Sequence, residues 1–149
     1  MKKEPIKIDF HFAGESKIKI RARGWLCLPV RFRKELAKSA KPKEMVALPY
    51  TLDQGIEAIS MYPREQYENF ILKQVAAIKP KAAREAALIE FVHCAEILSI
   101  GSSGLFCLPP LLQEIADLKP GAIAVVSGLG YKVQLANEKL WPEKRFKRS

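Results

Sequence analysis

Ile20-Arg21-Ala22-Arg23-Gly24-Trp25-Leu26-Cys27-Leu28-Pro29 returns eighty residues later as Ile100-Gly101-Ser102-Ser103-Gly104-Leu105-Phe106-Cys107-Leu108-Pro109, with Ile, Gly, Cys, Leu and Pro recurring in register. A repeat at fixed spacing means that one supersecondary unit is used twice. Each copy reads as the end of an apolar strand, a glycine-bearing turn and a second short strand. A proline then closes that strand and opens a helix, where its missing N–H costs nothing. Residues 25–28 are apolar throughout and read as a strand buried on both faces. Trp25 at its start reads as core or interface, with stacking on a nucleic-acid base the alternative if the turn is exposed. Residues 101–104 lack the lysine and the strand-to-helix setting of a phosphate loop and read as a plain turn.

Outward from the first copy, residues 6–10 alternate apolar and polar like a strand, and residues 12–16 read as a turn leading into a strand over 17–21. On that strand Ile18 and Ile20 face one side, and Lys17, Lys19 and Arg21 the other. The helix opened by Pro29 carries Phe32 and Leu36 on an apolar stripe and turns Arg31, Arg33 and Lys34 to solvent. Residues 45–48 and 56–62 are strands joined by a turn at Asp53-Gln54-Gly55. Pro63 starts a helix running to Lys79, with Tyr67, Phe70, Ile71 and Val75 on its period, and a second helix runs from Ala82 toward Ile97. The second copy ends in strands over 122–127 and 131–135, with Gly128-Leu129-Gly130 as their hairpin turn. Asn137 caps a short closing segment. Neither copy is long enough to bury a good core alone, so the two are expected to pair within the chain as a pseudo-twofold unit forming a small barrel.

The chain has 149 residues, 48% of them hydrophobic, and a net charge of +9. That is enough to bury a core, and no run of about eighteen apolar residues exists to span a bilayer. Residues 1–5 have no apolar segment behind their lysines, which argues against a secretory signal, and a cytoplasmic location is expected. Cys27, Cys94 and Cys107 have neither CxxC spacing nor a histidine at zinc-ligand distance, so structural zinc is not expected, and Cys27 and Cys107, at equivalent repeat positions, read as small buried hydrophobes in a reducing compartment. The charge is concentrated. Residues 1–41 hold twelve Lys/Arg against four Asp/Glu, residues 42–93 six against seven, and residues 94–149 seven against five. A field focused on the first copy attracts polyanions, with nucleic acid ahead of an anionic membrane surface and of a merely solvated basic face.

Residues 12–33, from Phe12-Ala13-Gly14-Glu15-Ser16 through Arg23-Gly24-Trp25-Leu26-Cys27-Leu28-Pro29 to Phe32-Arg33, resemble the opening of MraZ proteins, and Met61-Tyr62-Pro63 looks like that family's L-Y-P. The second copy and Trp141 fall where the family has its second repeat and terminal tryptophan. The resemblance spans residues 10–141. It implies an α+β, β-rich fold of two tandem SpoVT-AbrB-like repeats in a pseudo-twofold swapped-hairpin β-barrel with connecting helices. The implied divisions are an extension over 1–9, a first repeat over 10–62, linking helices over 63–94, a second repeat over 95–141 and a basic tail over 142–149. It further implies a DNA-binding transcriptional regulator of division and cell-wall genes, nucleoid-associated and assembled as a ring. Family contacts to DNA come from a D-x-x-x-R turn and nearby basic residues. Here the aspartate position is Arg21 and the arginine position Trp25, and in the second copy the two are Gly101 and Leu105. The arginine closing P-x-x-F-R is Arg33, with Gln113 as its counterpart.

Candidate DNA contacts are therefore Lys17, Lys19, Arg21, Arg23, Trp25, Arg31, Arg33 and Lys34. Lysines and arginines at strand, turn and helix start neutralise phosphates without reading sequence, whereas Arg21 or Arg23 could pair bidentately with guanine. His11 and His93 stand beside no nucleophile, and Glu85 and Glu90 are ordinary helix-surface carboxylates, so a binding protein is expected rather than an enzyme. The expected partners are double-stranded DNA and further copies of the chain, with no membrane, metal, cofactor or small-molecule ligand. The alternative is an oligomeric scaffold in which the DNA turn has decayed.

Overall fold

The computed structural model describes residues 10–52 and 55–141. Residues 6–9 of the expected first strand, Asp53 and Gln54 of the expected turn, and the basic tail over 142–149 lie outside the described residues.

Among the described residues, eight strands form two antiparallel sheets. β1 (Phe12–Lys19), β3 (Glu44–Thr51), β4 (Glu57–Pro63), β5 (Glu96–Ser99), β7 (Ile123–Gly130) and β8 (Val133–Asn137) make a six-stranded sheet in the order β1-β7-β8-β4-β3-β5. β2 (Trp25–Cys27) and β6 (Leu105–Cys107) pair with each other in a separate two-stranded sheet. Strands are exchanged between the two halves of the chain: β1 lies on β7, and β5 lies on β3.

The expected closed barrel is not formed, because β1 and β5 stand at opposite ends of an open sheet. The reason lies in the opening stretch. Pro29 and Pro109 follow β2 and β6 closely, and a residue without an N–H cannot carry a ladder onward. Strands of three residues then cross the sheet face as a ribbon instead of joining its edges.

The main core lies between the six-stranded sheet and a layer made of the ribbon, α1 (Val30–Leu36) and α5 (Pro110–Ile115). Buried residues recur there at the spacing of the repeat, as with Ile20 and Ile100, Leu28 and Leu108, and Phe32 and Leu112. Phe32 meets Phe12 edge to face at 6.0 Å, which seats α1 on β1. Burying a phenyl ring of this kind contributes about 1.5–3 kcal/mol. The opposite sheet face is covered in part by Trp141 and in part by the linking helices. There the Tyr67 hydroxyl donates to the Phe91 carbonyl at 2.8 Å.

Three local expectations change. Residues 12–16 belong to β1 and not to a turn, since they pair with 126–130 of β7. Gly128 and Gly130 lie within β7, and the reversal falls at Tyr131 and Lys132, closed by the Leu129 N–H donating to the Lys132 carbonyl at 2.9 Å. Gly128 is needed because its Cα runs against the backbone of Phe12 and Ala13, leaving no room for a side chain. The linking helices are not regular: α2 (Arg64–Gln66) and α3 (Leu72–Ala76) flank a wider π turn at Tyr67–Ile71, and α4 (Lys81–Leu88) passes into another at Ile89–His93. The extra residue per π turn rotates the apolar stripe, and of Tyr67, Phe70, Ile71 and Val75 only Tyr67 and Val75 are buried.

Candidate nucleic-acid interface

The two repeated turns sit at the two ends of the β2–β6 ribbon. In the first, the Gly24 N–H donates to the Arg21 carbonyl at 3.1 Å and the Arg21 N–H to the Trp25 carbonyl at 2.8 Å. The second copies it, with Gly104 to Gly101 and Gly101 to Leu105, both at 2.8 Å. The ribbon centres on Leu26 opposite Phe106, and both point into the core. Strand alternation turns Trp25, Cys27, Leu105 and Cys107 outward, and Trp25 is 44% exposed. The expectation that residues 25–28 are buried on both faces is thereby corrected, and of the readings offered for Trp25 the exposure removes the core and leaves an interface or base stacking.

Each turn is held by the opposite half. The Leu28 N–H donates to the Gly104 carbonyl at 2.8 Å, and the Leu108 N–H to the Gly24 carbonyl at 2.9 Å. The Cys27 thiol donates to the Ser103 carbonyl at 3.2 Å, and the Cys107 thiol to the Arg23 carbonyl at 3.3 Å. Both cysteines are half-buried hydrogen-bond donors and not the purely apolar fillers expected of them. Arg33 and its counterpart Gln113 complete the pattern. Arg33 donates to the Ser102 carbonyl at 3.2 Å, while the Gln113 amide donates to the carbonyls of Leu108 at 2.6 Å and Arg23 at 3.3 Å.

The glycines make these approaches possible. A Cβ on Gly104 would lie 2.8 Å from Cδ and Nε of Arg33, and one on Gly24 would collide with the Gln113 amide. Both glycines also have positive φ, +94° at Gly24 and +89° at Gly104, which other residues adopt at a cost.

The candidate residues do not share one face. Arg21 and Arg23 are exposed with Trp25 at the first turn, where Arg23 itself has φ +63°. Lys17 and Lys19 lie on the far face of β1, the side of Val125 and Trp141, and Lys17 pairs with Glu138 at 2.9 Å. Arg31 is exposed yet donates to the Glu15 carbonyl at 2.7 Å and to Ser16 Oγ at 2.9 Å. Its guanidinium fills the space where Gly14 has no side chain. Arg33, expected in solvent, is half-buried under the second turn, and its Nε is buried without an acceptor among the described residues. Lys34 remains on the open side of α1. The neighbouring Glu35 takes a hydrogen bond from the Lys38 ammonium and another from the His11 N–H, and these hold its carboxyl below the usual range.

Sequence reasoning did not find Cys107 and Gln113 as partners of the Arg23 turn. The available signal was the eighty-residue spacing, which puts Gln113 where the first half has Arg33. Among the described residues no group of three or more His, Cys, Asp and Glu could hold a metal ion, and no helix is long and apolar enough to cross a membrane.

A duplicated, strand-exchanging α+β fold that presents one charged and one neutral copy of the same turn defines the class. Comparison with known proteins identifies the relatives. No family profile matches the chain. Among curated proteins it is 30% identical over 132 residues to the transcriptional regulator MraZ of Pseudomonas fluorescens, covering 87% of this chain and 82% of that one. It is 29% identical over 136 residues to the transcriptional regulator MraZ of Halorhodospira halophila, covering 90% and 84%. The protein of the same name from Azotobacter vinelandii is 29% identical over 132 residues, covering 87% and 82%. The chain belongs to the MraZ family.

Proposed function

We propose that this chain is a transcriptional regulator that binds double-stranded DNA through the turn carrying Arg21, Arg23 and Trp25, with division and cell-wall genes as its targets. One observation carries the reading: the two turns have the same hydrogen-bond frame, yet the first exposes two guanidiniums and an indole where the second exposes Gly101, Ser103 and half-buried Leu105. Guanidiniums suit phosphates and guanine edges, and an exposed indole adds a stacking surface. The names of the relatives agree with this role. In this reading residues 10–62 and 95–141 are two SpoVT-AbrB-like repeats with exchanged hairpins, as the pairing of β1 with β7 and β5 with β3 favours, and residues 63–94 link them. One short turn gives weak affinity. A ring of copies would multiply it. Exposed Leu88, Ile89 and Ile97 support such self-association, as does the nearby apolar groove of about 280 Å³ lined by Val46, Tyr67, Leu72 and Val92.

The test is duplex binding measured by fluorescence anisotropy at several salt concentrations. Two to four phosphate contacts per bound protomer give a log–log slope of about −2 to −4, and Arg21→Ala with Arg23→Ala reduces it by about two. A slope near zero, or one unchanged by the double substitution, overturns the reading. The exposed apolar residues of the linking helices also favour a second reading, an oligomeric scaffold without DNA binding. Cellular function that survives Arg21→Glu with Arg23→Glu but is lost with Ile89→Asp would select it.

A further inference from the structure

We propose that the second half, whose own turn carries no charge, positions the DNA-binding turn of the first, with Gln113 and Cys107 as positioning residues for Arg23; this rests on the DNA-binding reading above. Arg23 is one of only two non-glycine residues among those described with positive φ, and the surroundings must hold such a conformation in place. Its carbonyl accepts two hydrogen bonds, and both come from the second half: the Cys107 thiol at 3.3 Å and the Gln113 amide at 3.3 Å. With the carbonyl fixed and the Gly24 carbonyl tied to Leu108, the peptide planes on both sides of the turn tip have one orientation. The Cα–Cβ bond of Arg23 therefore leaves the turn in one direction, and that fixed base limits the region its guanidinium reaches.

The chemistry of the two supports fits the charges above them. The first half lends a cationic side chain, Arg33, to the neutral turn over residues 101–104. The second half lends a neutral amide, Gln113, to the turn that carries Arg21 and Arg23. An arginine there would add a third cation beneath two others and repel them. Gln113 is buried, and its amide nitrogen has carbonyl acceptors on both sides, so it can hold the turn without competing for phosphate.

The experiment measures duplex binding and its salt dependence for wild type, Gln113→Met, Cys107→Ala, Cys107→Ser and Arg23→Ala, and for each of the first three substitutions combined with Arg23→Ala. Methionine keeps the length of glutamine without its donor, and serine keeps a donor that alanine lacks. The expected result is a loss of affinity of about 5- to 30-fold for Gln113→Met, with a salt slope shallower by about one, a smaller loss for Cys107→Ala, and Cys107→Ser close to wild type. With Arg23→Ala in place, neither Gln113→Met nor Cys107→Ala should weaken binding further, because both act through Arg23. Losses that add to that of Arg23→Ala, or Gln113→Met and Cys107→Ala that bind like wild type, overturn the proposal. If Gln113→Met fails to fold, equal binding by Cys107→Ala and Cys107→Ser still does so. Wild type without salt-dependent binding refutes the underlying reading instead.

Discussion

Replacing Gly24 by alanine separates two reasons for a glycine that usually coincide. Gly24 has φ +94° and Gly121 has φ +95°, so alanine meets nearly the same backbone penalty at both. That penalty is about 1–2 kcal/mol for an L-residue in the left-handed region. The surroundings differ. A Cβ on Gly121 meets nothing within 4 Å, whereas one on Gly24 lies 2.9 Å from the Leu108 carbonyl oxygen and collides with the Gln113 amide. The amide can swing aside at the cost of its bonds to Arg23 and Leu108, about 1 kcal/mol each, but the Leu108 carbonyl is backbone and must move with β6. Overpacking of this kind costs about 1–3 kcal/mol. Gly121→Ala should therefore lose about 1–2 kcal/mol and Gly24→Ala about 2–5 kcal/mol. Urea unfolding at one fixed protein concentration measures both, the fixed concentration removing any contribution from self-association. Adding Gln113→Ala to Gly24→Ala should recover part of the loss, since it removes one of the two obstacles. Equal destabilisation at Gly24 and Gly121, or no recovery in the double variant, would refute the close approach of the two halves at this turn.

Arg33→Met keeps the aliphatic stem but removes the bond to the Ser102 carbonyl, so it should lower stability by about 1 kcal/mol in urea unfolding and change DNA affinity less than Arg23→Met does in anisotropy. A larger DNA defect at Arg33 would contradict its place beneath the second turn. Carbamidomethylation with iodoacetamide replaces the Cys107 S–H with bulk beside Trp25, its cross-strand partner; wild type should lose duplex binding on treatment and Cys107→Ser should keep it. Glu35 is held below its ordinary carboxyl range by Lys38 and then by the His11 N–H, so the stability it contributes is complete above its unfolded value of about 4.3 and is lost as pH falls through the lower folded value. Glu35→Gln should accordingly show a smaller stability difference between about pH 6 and pH 3 than wild type, read by urea midpoints.

The duplicated fold was legible because its punctuation is local. Gly24 and Gly104 require positive φ, and Pro29 and Pro109 end strands and open helices, so the same spacing at two places announces the same unit twice. The barrel was an over-reading for a related reason. Periodicity reports which residues can form strands, not which strands pair, and nothing in residues 25–27 or 105–107 alone says that they will join each other and leave β1 and β5 at opposite ends of the described sheet. The candidate site divides along the same line. Arg21 and Arg23 are candidates on charge density, a property of composition that needs no partner, and their exposure at the first turn is what the structure adds.

Arg33 was misplaced because a helical period tells which side of α1 it occupies and not what lies across from it, and the neutral turn over residues 101–104 lies sixty-nine residues away in sequence. Gln113 escaped notice through the same gap, ninety residues from Arg23, although its counterpart relation to Arg33 was in plain sight. Taken singly, the change from arginine to glutamine reads as a lost DNA contact. With both turns in view it is a consequence of strand exchange: the side chain at this position supports the turn of the other half. Its charge is therefore matched to the opposite turn and not to its own, which places the cation of the pair under residues 101–104 and the amide under Arg23. In a protein built this way the half that carries the guanidiniums and the half that supports their turn are different halves, so, if the proposed DNA contact is made there, substitutions in either half should be felt at it.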